Sequence, residues 1–300
     1  MELCQANRRL MSQSKLALLE GLACRIIAKN QSGNTSVSEK PSLNQPRPTA
    51  LVTGASSGIG AATALQLVQA GYHVHALARR RDRLETLAQS VRDDAGDYIT
   101  PHSLDVTDSA ALTELVRSIG RFDVLVNNAG LGRMDENLAN SSIEDITATV
   151  NTNVTASMVA ASAVLPSMID QRHGHIVNVG SMAGLYPLAA ASYGASKGAI
   201  HLLSLNLRME LRGTGIRVTE ICPGRIATEF YDHAISNPEK RAVVQDSGVT
   251  EVTAEEVADA IVYALSVPPH VNINRIELQP TEQTYGGSQF DPVKGAQAYQ

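Results

Sequence analysis

Short apolar runs recur along this chain at 49–53, 72–78, 98–104, 122–127, 175–180, 216–221 and 273–278, and each reads as a β-strand. Longer segments with apolar residues at helical spacing lie between them, at 58–70, 80–95, 108–119, 141–170, 192–212 and 254–266. Strand and helix in strict alternation predict an α/β fold, a single doubly wound parallel sheet with helices on both faces. Such sheets bind ligands beyond the carboxyl ends of their strands. Gly54, Arg79, Asp105, Asn127, Ser181 and Pro223 all stand at the ends of these runs, so the candidate chemistry gathers along one edge.

The alternation begins only at Thr49. Residues 1–47 read as an extension, 48–288 as the folded domain and 289–300 as a tail. Asn30 to Pro48 is rich in Ser, Asn, Gln and Pro, the composition of a disordered linker, whereas Met11 to Lys29 is compatible with a basic amphipathic helix. The extension holds seven Lys/Arg against three Glu, so a targeting peptide, an unstructured tail and a start placed upstream of Met11 all stand as readings.

Thr53-Gly54-Ala55-Ser56-Ser57-Gly58-Ile59-Gly60 falls between the first strand and the first helix. Glycines there let the backbone turn sharply and approach a pyrophosphate, whose charge meets the positive end of the helix. With Tyr72 to Ala78 as the second strand, the motif opens a βαβ unit of the dinucleotide-binding, Rossmann type. The second strand closes on Ala78 and is followed by Arg79, Arg80 and Arg81. A carboxylate at that position would hold a ribose 2′-hydroxyl and repel a 2′-phosphate. A guanidinium, Arg79 by position, favours the 2′-phosphate and therefore NADP(H).

A second constellation is Tyr193-Gly194-Ala195-Ser196-Lys197, with Ser181 twelve residues before the tyrosine. A lysine four residues on lies one helical turn away on the same face. Its ammonium is expected to stabilise the phenolate and draw the tyrosine, ordinarily near pH ~10, toward neutrality. Ser181 would hold a carbonyl or hydroxyl oxygen beside the phenol.

The motifs TGASSGIG at 53–60, NNAG at 127–130, Ser181, YGASK at 193–197 and PG at 223–224 resemble the short-chain dehydrogenase/reductase family over about residues 48–285. The resemblance implies a catalytic tetrad of Asn153, Ser181, Tyr193 and Lys197, in which Asn153 would hold a water that links Lys197 to solvent. It implies cofactor contacts at Thr53, Gly54, Ser56, Ser57, Gly58, Ile59 and Gly60, with Tyr193 and Lys197 meeting the nicotinamide ribose. Asp105 and Val106 would cap the adenine, Asn127, Ala129 and Gly130 would line the cofactor, and Pro223, Gly224 and Thr228 would meet the nicotinamide end. The helices 141–170 and 192–212 would pair across subunits, giving a homo-oligomer, a tetramer or dimer.

Composition narrows the partners. A net charge of −5 argues against a nucleic-acid surface, and no run of about 18 uninterrupted apolar residues predicts a membrane span. Cys4, Cys24 and Cys222 carry no metal or redox spacing, which fits a reducing compartment, the cytoplasm, with no metal expected.

Arg225, after Pro223-Gly224, and Arg133, after the NNAG motif, are candidates to read an anionic substrate, with Tyr186 as a pocket wall. RVTEICPGRIAT at 217–228 and PHVNINRIELQ at 269–279 are similar to a branch containing NADP-dependent 3-hydroxy acid and serine dehydrogenases and sulfoacetaldehyde reductases. This chain has a shorter loop after Gly224 than that branch implies. A small anionic aldehyde, such as sulfoacetaldehyde giving isethionate or a semialdehyde giving a 3-hydroxy acid, is the expected substrate. A broad-range carbonyl reductase and a non-catalytic NADPH-binding sensor are the alternatives.

Overall fold

The computed structural model describes residues 47–284, apart from positions 94, 95, 135, 189 and 247. The expectations for the extension and the C-terminal tail fall outside the described residues. Within them the strands are β1 (Thr49–Thr53), β2 (His73–Ala78), β3 (Ile99–Ser103), β4 (Val124–Asn127), β5 (Gly174–Val179), β6 (Ile216–Pro223), β7 (Ile226–Ala227), β8 (Val252–Thr253) and β9 (Arg275–Leu278). The helices are α1 (Gly58–Gln69), α2 (Arg81–Ser90), α3 (Ser109–Ile119), α4 (Ile143–Val150), α5 (Ala156–Gln171), α6 (Ala191–Glu210), α7 (Phe230–Ala234), α8 (Pro238–Gln245) and α9 (Ala254–Ser266).

Seven strands form one parallel sheet in the order β3-β2-β1-β4-β5-β6-β9. The order reverses between β1 and β4, the position where a ligand crevice opens in such folds. Alternate side chains divide the core. Ala50, Val52, Val124 and Val126 face one layer with Leu67 of α1 and Val257 and Ile261 of α9. Leu51 and Leu125 face the other, with Leu112 of α3, Val164 and Met168 of α5 and Leu207 of α6. Because both faces are covered, the central strands are apolar throughout rather than alternating.

The structure departs from the expected elements in three places. The helix expected at 80–95 stops at Ser90, and Asp93 and Gly96 close an antiparallel bridge that turns the chain. The helix expected at 141–170 is interrupted by a π turn, Asn151–Thr155. Ile143–Gln171 as a whole is long and apolar enough to cross a membrane by length and composition. One face of it (Ala156, Ala160, Ala161, Val164 and Met168) is buried against the sheet and α3, while Ile143, Val150, Met158 and Ile169 are exposed. Finally, α7, α8 and the parallel pair β7-β8 fold the segment after β6 over the edge of the sheet. Asn237 caps α8 ahead of Pro238, a start signal legible in the residues, but α8 buries no side chain and carries no apolar period to announce it.

Leu51 is fully buried at the centre of the sheet. Leu51→Ala is expected to cost about 2–5 kcal/mol, read as a lower urea midpoint with an unchanged m-value.

Candidate active site

A cleft of about 1410 Å³ runs along the carboxyl ends of the strands. At its centre β1 ends in the glycine turn. Gly54 has φ +69°, and a Cβ there would stand 2.8 Å from Asn128 Nδ2. A Cβ on Gly60 would stand 2.3 Å from the Gly54 carbonyl oxygen, so only glycine lets α1 start this close to the turn. Gly54, Ser56, Ser57, Gly58 and Ile59 line the cleft, with the N-terminus of α1 directed at it.

Three residues expected to touch a cofactor stand behind the wall instead. Thr53 is 3% exposed; its hydroxyl donates to the Val126 carbonyl and accepts from the Asn128 and Ala129 amides. Asn127 turns into the sheet, where Nδ2 donates to Asn178 Oδ1 at 2.9 Å and to the Ser157 carbonyl. Gly60 serves packing rather than lining. The wall at β4 is made by Asn128, Ala129 and Gly130.

At the β2 end, Arg79 is largely exposed, and its Nη1 lies 3.9 Å from Asp105 Oδ2. Arg80, the next residue, is held more closely. Its guanidinium donates to Ser56 Oγ at 3.1 and 3.2 Å and to Ser57 Oγ at 2.7 Å, and it pairs with Glu229 at 3.4 Å. Arg83 also donates to Glu229, at 2.7 and 2.9 Å. Burial alone would raise the Asp105 carboxyl, but hydrogen bonds from the Thr107 amide and hydroxyl, with Arg79, hold it below the ordinary carboxylate range. Asp105 and Val106 both line the cleft beside Arg79 and Arg80.

Ser181, Tyr193 and Lys197 converge on the same cleft. Ser181 follows β5 and caps a short 3₁₀ turn, its Oγ accepting from the Ala183 amide at 3.1 Å. Tyr193 and Lys197 stand one turn apart on α6, and the Tyr193 hydroxyl bonds to Ser181. Lys197 Nζ donates to the Val179 carbonyl at 2.8 Å and lies 6.0 Å from the Tyr193 ring centre. The expected downward pull on the tyrosine is not what the surroundings produce. Burial pushes the Tyr193 phenol up to about 12, a rise the Ser181 hydrogen bond only moderates. Burial likewise brings the Lys197 ammonium down to about 8, against the opposing pull of Cys222 and Glu220. Desolvation is the largest effect on each because both groups are shut away from water.

Asn153 lies in the π turn, 1% exposed. Its Oδ1 accepts from the Leu131 amide at 2.7 Å, and its Nδ2 donates to the Leu131 carbonyl and to Ser196 Oγ, both at 2.9 Å. The side chain therefore ties the β4 loop to α6 near Tyr193 and Lys197, while Asn151 and Thr152 face the cleft.

Pro223, Gly224 and Thr228 line the far wall, which α7 and α8 cover. Phe230 packs against the Tyr193 ring, tilted by 50° with centroids 5.5 Å apart, a contact with no sequence signal. Arg225 lines the cleft but is only 4% exposed, paired with Glu251 and resting 4.4 Å over the Tyr231 ring. Arg133 pairs with Asp145 at 3.1 Å and donates to the His233 carbonyl at 3.1 Å. Tyr186 also lines the cleft and reaches Glu277 at 3.5 Å. Both candidate anion readers thus already hold a carboxylate, which pattern alone did not foretell.

This arrangement has close counterparts. A family profile described as short chain dehydrogenase matches residues 48–239. The NADP-dependent 3-hydroxy acid dehydrogenase of Escherichia coli (strain K12) is 38% identical over 243 residues, 79% of this chain and 96% of the relative. The sulfoacetaldehyde reductase of Chromohalobacter salexigens is 37% identical over 246 residues, 80% of this chain and 96% of the relative. Among solved structures, the closed form of a serine dehydrogenase complexed with NADP+ superimposes with a TM-score of 0.74 at 38% identity, covering 80% of this chain and 97% of that one. With the glycine turn, the Ser–Tyr–Lys cluster and the sheet order all in agreement, the chain belongs to the short-chain dehydrogenase family of oxidoreductases.

Proposed function

We propose that this protein reversibly reduces a small polar, anionic aldehyde or ketone to its hydroxy acid, with NADP(H) as redox partner. Sulfoacetaldehyde giving isethionate and a semialdehyde giving a 3-hydroxy acid both answer that description, and relatives carrying both activities in their names support it. The observation that carries the reading is the convergence of Ser181, Tyr193 and Lys197 on a cleft that also holds Arg133 and Arg225.

The cleft suits the dinucleotide on its own geometry. No carboxylate closes β2, and Arg79 and Arg80 stand beside the Ser56 and Ser57 hydroxyls, a cationic, hydrogen-bonding corner fit for a 2′-phosphate. Gly54, Ser56, Ser57, Gly58 and Ile59 would cradle the pyrophosphate at the α1 N-terminus. Asp105 and Val106 would flank the adenine, Ala129 and Gly130 the adjoining ribose, and Pro223, Gly224 and Thr228 the nicotinamide end. NADP(H), when bound, supplies or accepts the hydride.

The chain's own residues manage the proton. A phenol held near 12 is neutral at pH 7, so Tyr193 is the proton donor to the carbonyl oxygen during reduction. Ser181, already bonded to that hydroxyl, would hold the same oxygen. Lys197, still largely protonated at pH 7, favours the phenolate left after donation. Phe230, against the tyrosine ring, helps exclude water.

Arg133 is the better candidate for the substrate anion, because it is partly exposed whereas Arg225 is buried against Glu251 and Tyr231. The pairing of both guanidiniums favours a second reading, a broad-range carbonyl reductase in which neither reads charge.

Initial rates of NADPH oxidation with sulfoacetaldehyde, malonate semialdehyde and a neutral aldehyde of similar size separate the two. Preference for an anion, lost in Arg133→Ala, is expected; equal rates throughout would establish the broad reading. Tyr193→Phe should lose nearly all turnover while keeping NADPH binding, and full turnover in that variant would remove the proposed acid. Arg80→Ala should weaken NADPH binding about tenfold or more with little change for NADH, the loss of one charge-assisted contact, as measured by fluorescence titration. Met158 of α5 and Leu202, Leu205 and Met209 of α6 are exposed apolar side chains, and we infer that they pair across subunits of a homo-oligomer. Light scattering is expected to give a multiple of 31.9 kDa.

A further inference from the structure

The face of α6 that carries Tyr193 and Lys197 continues one turn further to His201. There it meets Glu220, on β6, whose register partner in β5 is Asn178. Glu220 is 1% exposed, far from the cleft mouth, and a buried carboxylate so placed is costly unless it serves its surroundings. His201 Nδ1 lies 2.7 Å from its Oε2. Its Oε1 has no hydrogen-bond partner and lies against the Gly180 backbone, so tightly that a Cβ on Gly180 would stand 2.6 Å from it.

Gly180 is flanked by the two residues that matter most to the site. Val179 offers the carbonyl that holds Lys197 Nζ, and Ser181 carries the hydroxyl bonded to Tyr193. The Gly180 amide is itself pinned to the Ile221 carbonyl, next to Glu220, at 2.7 Å. The carboxylate thus presses on this turn from the side opposite the cleft. Behind it lies a second cavity, about 490 Å³, lined by His201, Ser204, Arg208, Glu220 and Arg275 among others.

We propose that Glu220, anchored by His201, is a positioning residue that fixes the turn Val179–Ser181, and with it the carbonyl that holds Lys197 and the Ser181 hydroxyl. The proposal rests on the role given to Lys197 above. The charged and titratable groups around the carboxylate are His201 and Arg208 from α6, Cys222 from β6, and Arg275 and Glu277 from β9. The Cys222 thiol is driven well above its ordinary range by burial and by Glu220, so it stays a neutral thiol at pH 7.

The sign of the effect follows. Burial lowers the Lys197 ammonium to about 8, and Glu220 works against that fall. Without the carboxylate charge the ammonium loses its proton at lower pH. The alkaline limb of kcat/KM, which reports the free enzyme, should therefore move down in Glu220→Gln, by about half a pH unit or more. NADPH affinity should stay near wild type. A folded Glu220→Gln enzyme whose limb coincides with that of wild type overturns the proposal. A merely structural role would lower the melting temperature and the rate without moving the limb, and that result overturns it equally. Glu220→Asp serves if the glutamine variant does not fold. It keeps the charge but withdraws from Gly180, so a reduced rate with the limb in place is expected, and an unchanged rate overturns the proposal. Failure of the underlying reading looks different: Lys197→Met would then keep its turnover, and wild type would show no limb near pH 8.

Discussion

β1 and β4 lie side by side at the centre of the sheet, but their continuations leave in different directions, and the gap between their ends is where the cleft opens. One hydroxyl spans that gap. Thr53 Oγ1 donates to the Val126 carbonyl and accepts from the Asn128 and Ala129 amides, while Asn128 Nδ2 returns a hydrogen bond to the Thr53 carbonyl at 2.9 Å. These bonds satisfy backbone groups that the diverging strands leave without ladder partners. They also bring Gly54, Gly60 and Asn128 so close that no side chain fits between them. The glycine turn, the start of α1 and the Ala129–Gly130 wall all take their positions from this junction.

The cluster of Ser181, Tyr193 and Lys197 is governed by desolvation more than by attraction. Tyr193 and Lys197 share a helix face and a dry environment, and burial works against the charged form of each. That leaves the phenol neutral at pH 7 and weakens the hold of Lys197 on its proton. Glu220 belongs in that account because it is the buried carboxylate nearest the β5 turn, set where the sheet can bring it and no cleft-lining residue can.

Charge around the cleft is mostly compensated. Arg80 and Arg83 share Glu229, Arg133 holds Asp145, and Arg225 holds Glu251. Glu229 belongs to the segment that folds over the cleft after β6, so its pairs with Arg80 and Arg83 fasten that cover to the start of α2, while Arg225–Glu251 joins two parts of the cover itself. A ligand anion entering the cleft meets guanidiniums already oriented by their carboxylates, which limits the entropy lost on binding but requires exchange or sharing of partners.

The sequence by itself determined whatever rests on local periodicity and short motifs. Apolar runs between helical segments are enough to specify a parallel sheet covered on both faces, and the order of β1, α1 and β2 follows from them. The spacing Tyr193–Lys197 places both on one face of a helix wherever that helix lies. Only the tertiary structure decided which side of the wall each motif residue faces. Thr53 and Asn127 sit inside motifs that read as cofactor contacts, and Asn153 reads as the holder of a water, yet strand pleat and the π turn direct all three inward, a matter of register that composition does not carry. Arg80 rather than Arg79 engages the serine hydroxyls because the chain turns from strand to helix between them. The partners Glu229, Glu251, Asp145 and Glu220 are each remote in sequence from the groups they hold. Long-range pairing of that kind depends on how the chain closes on itself, and no local pattern encodes it.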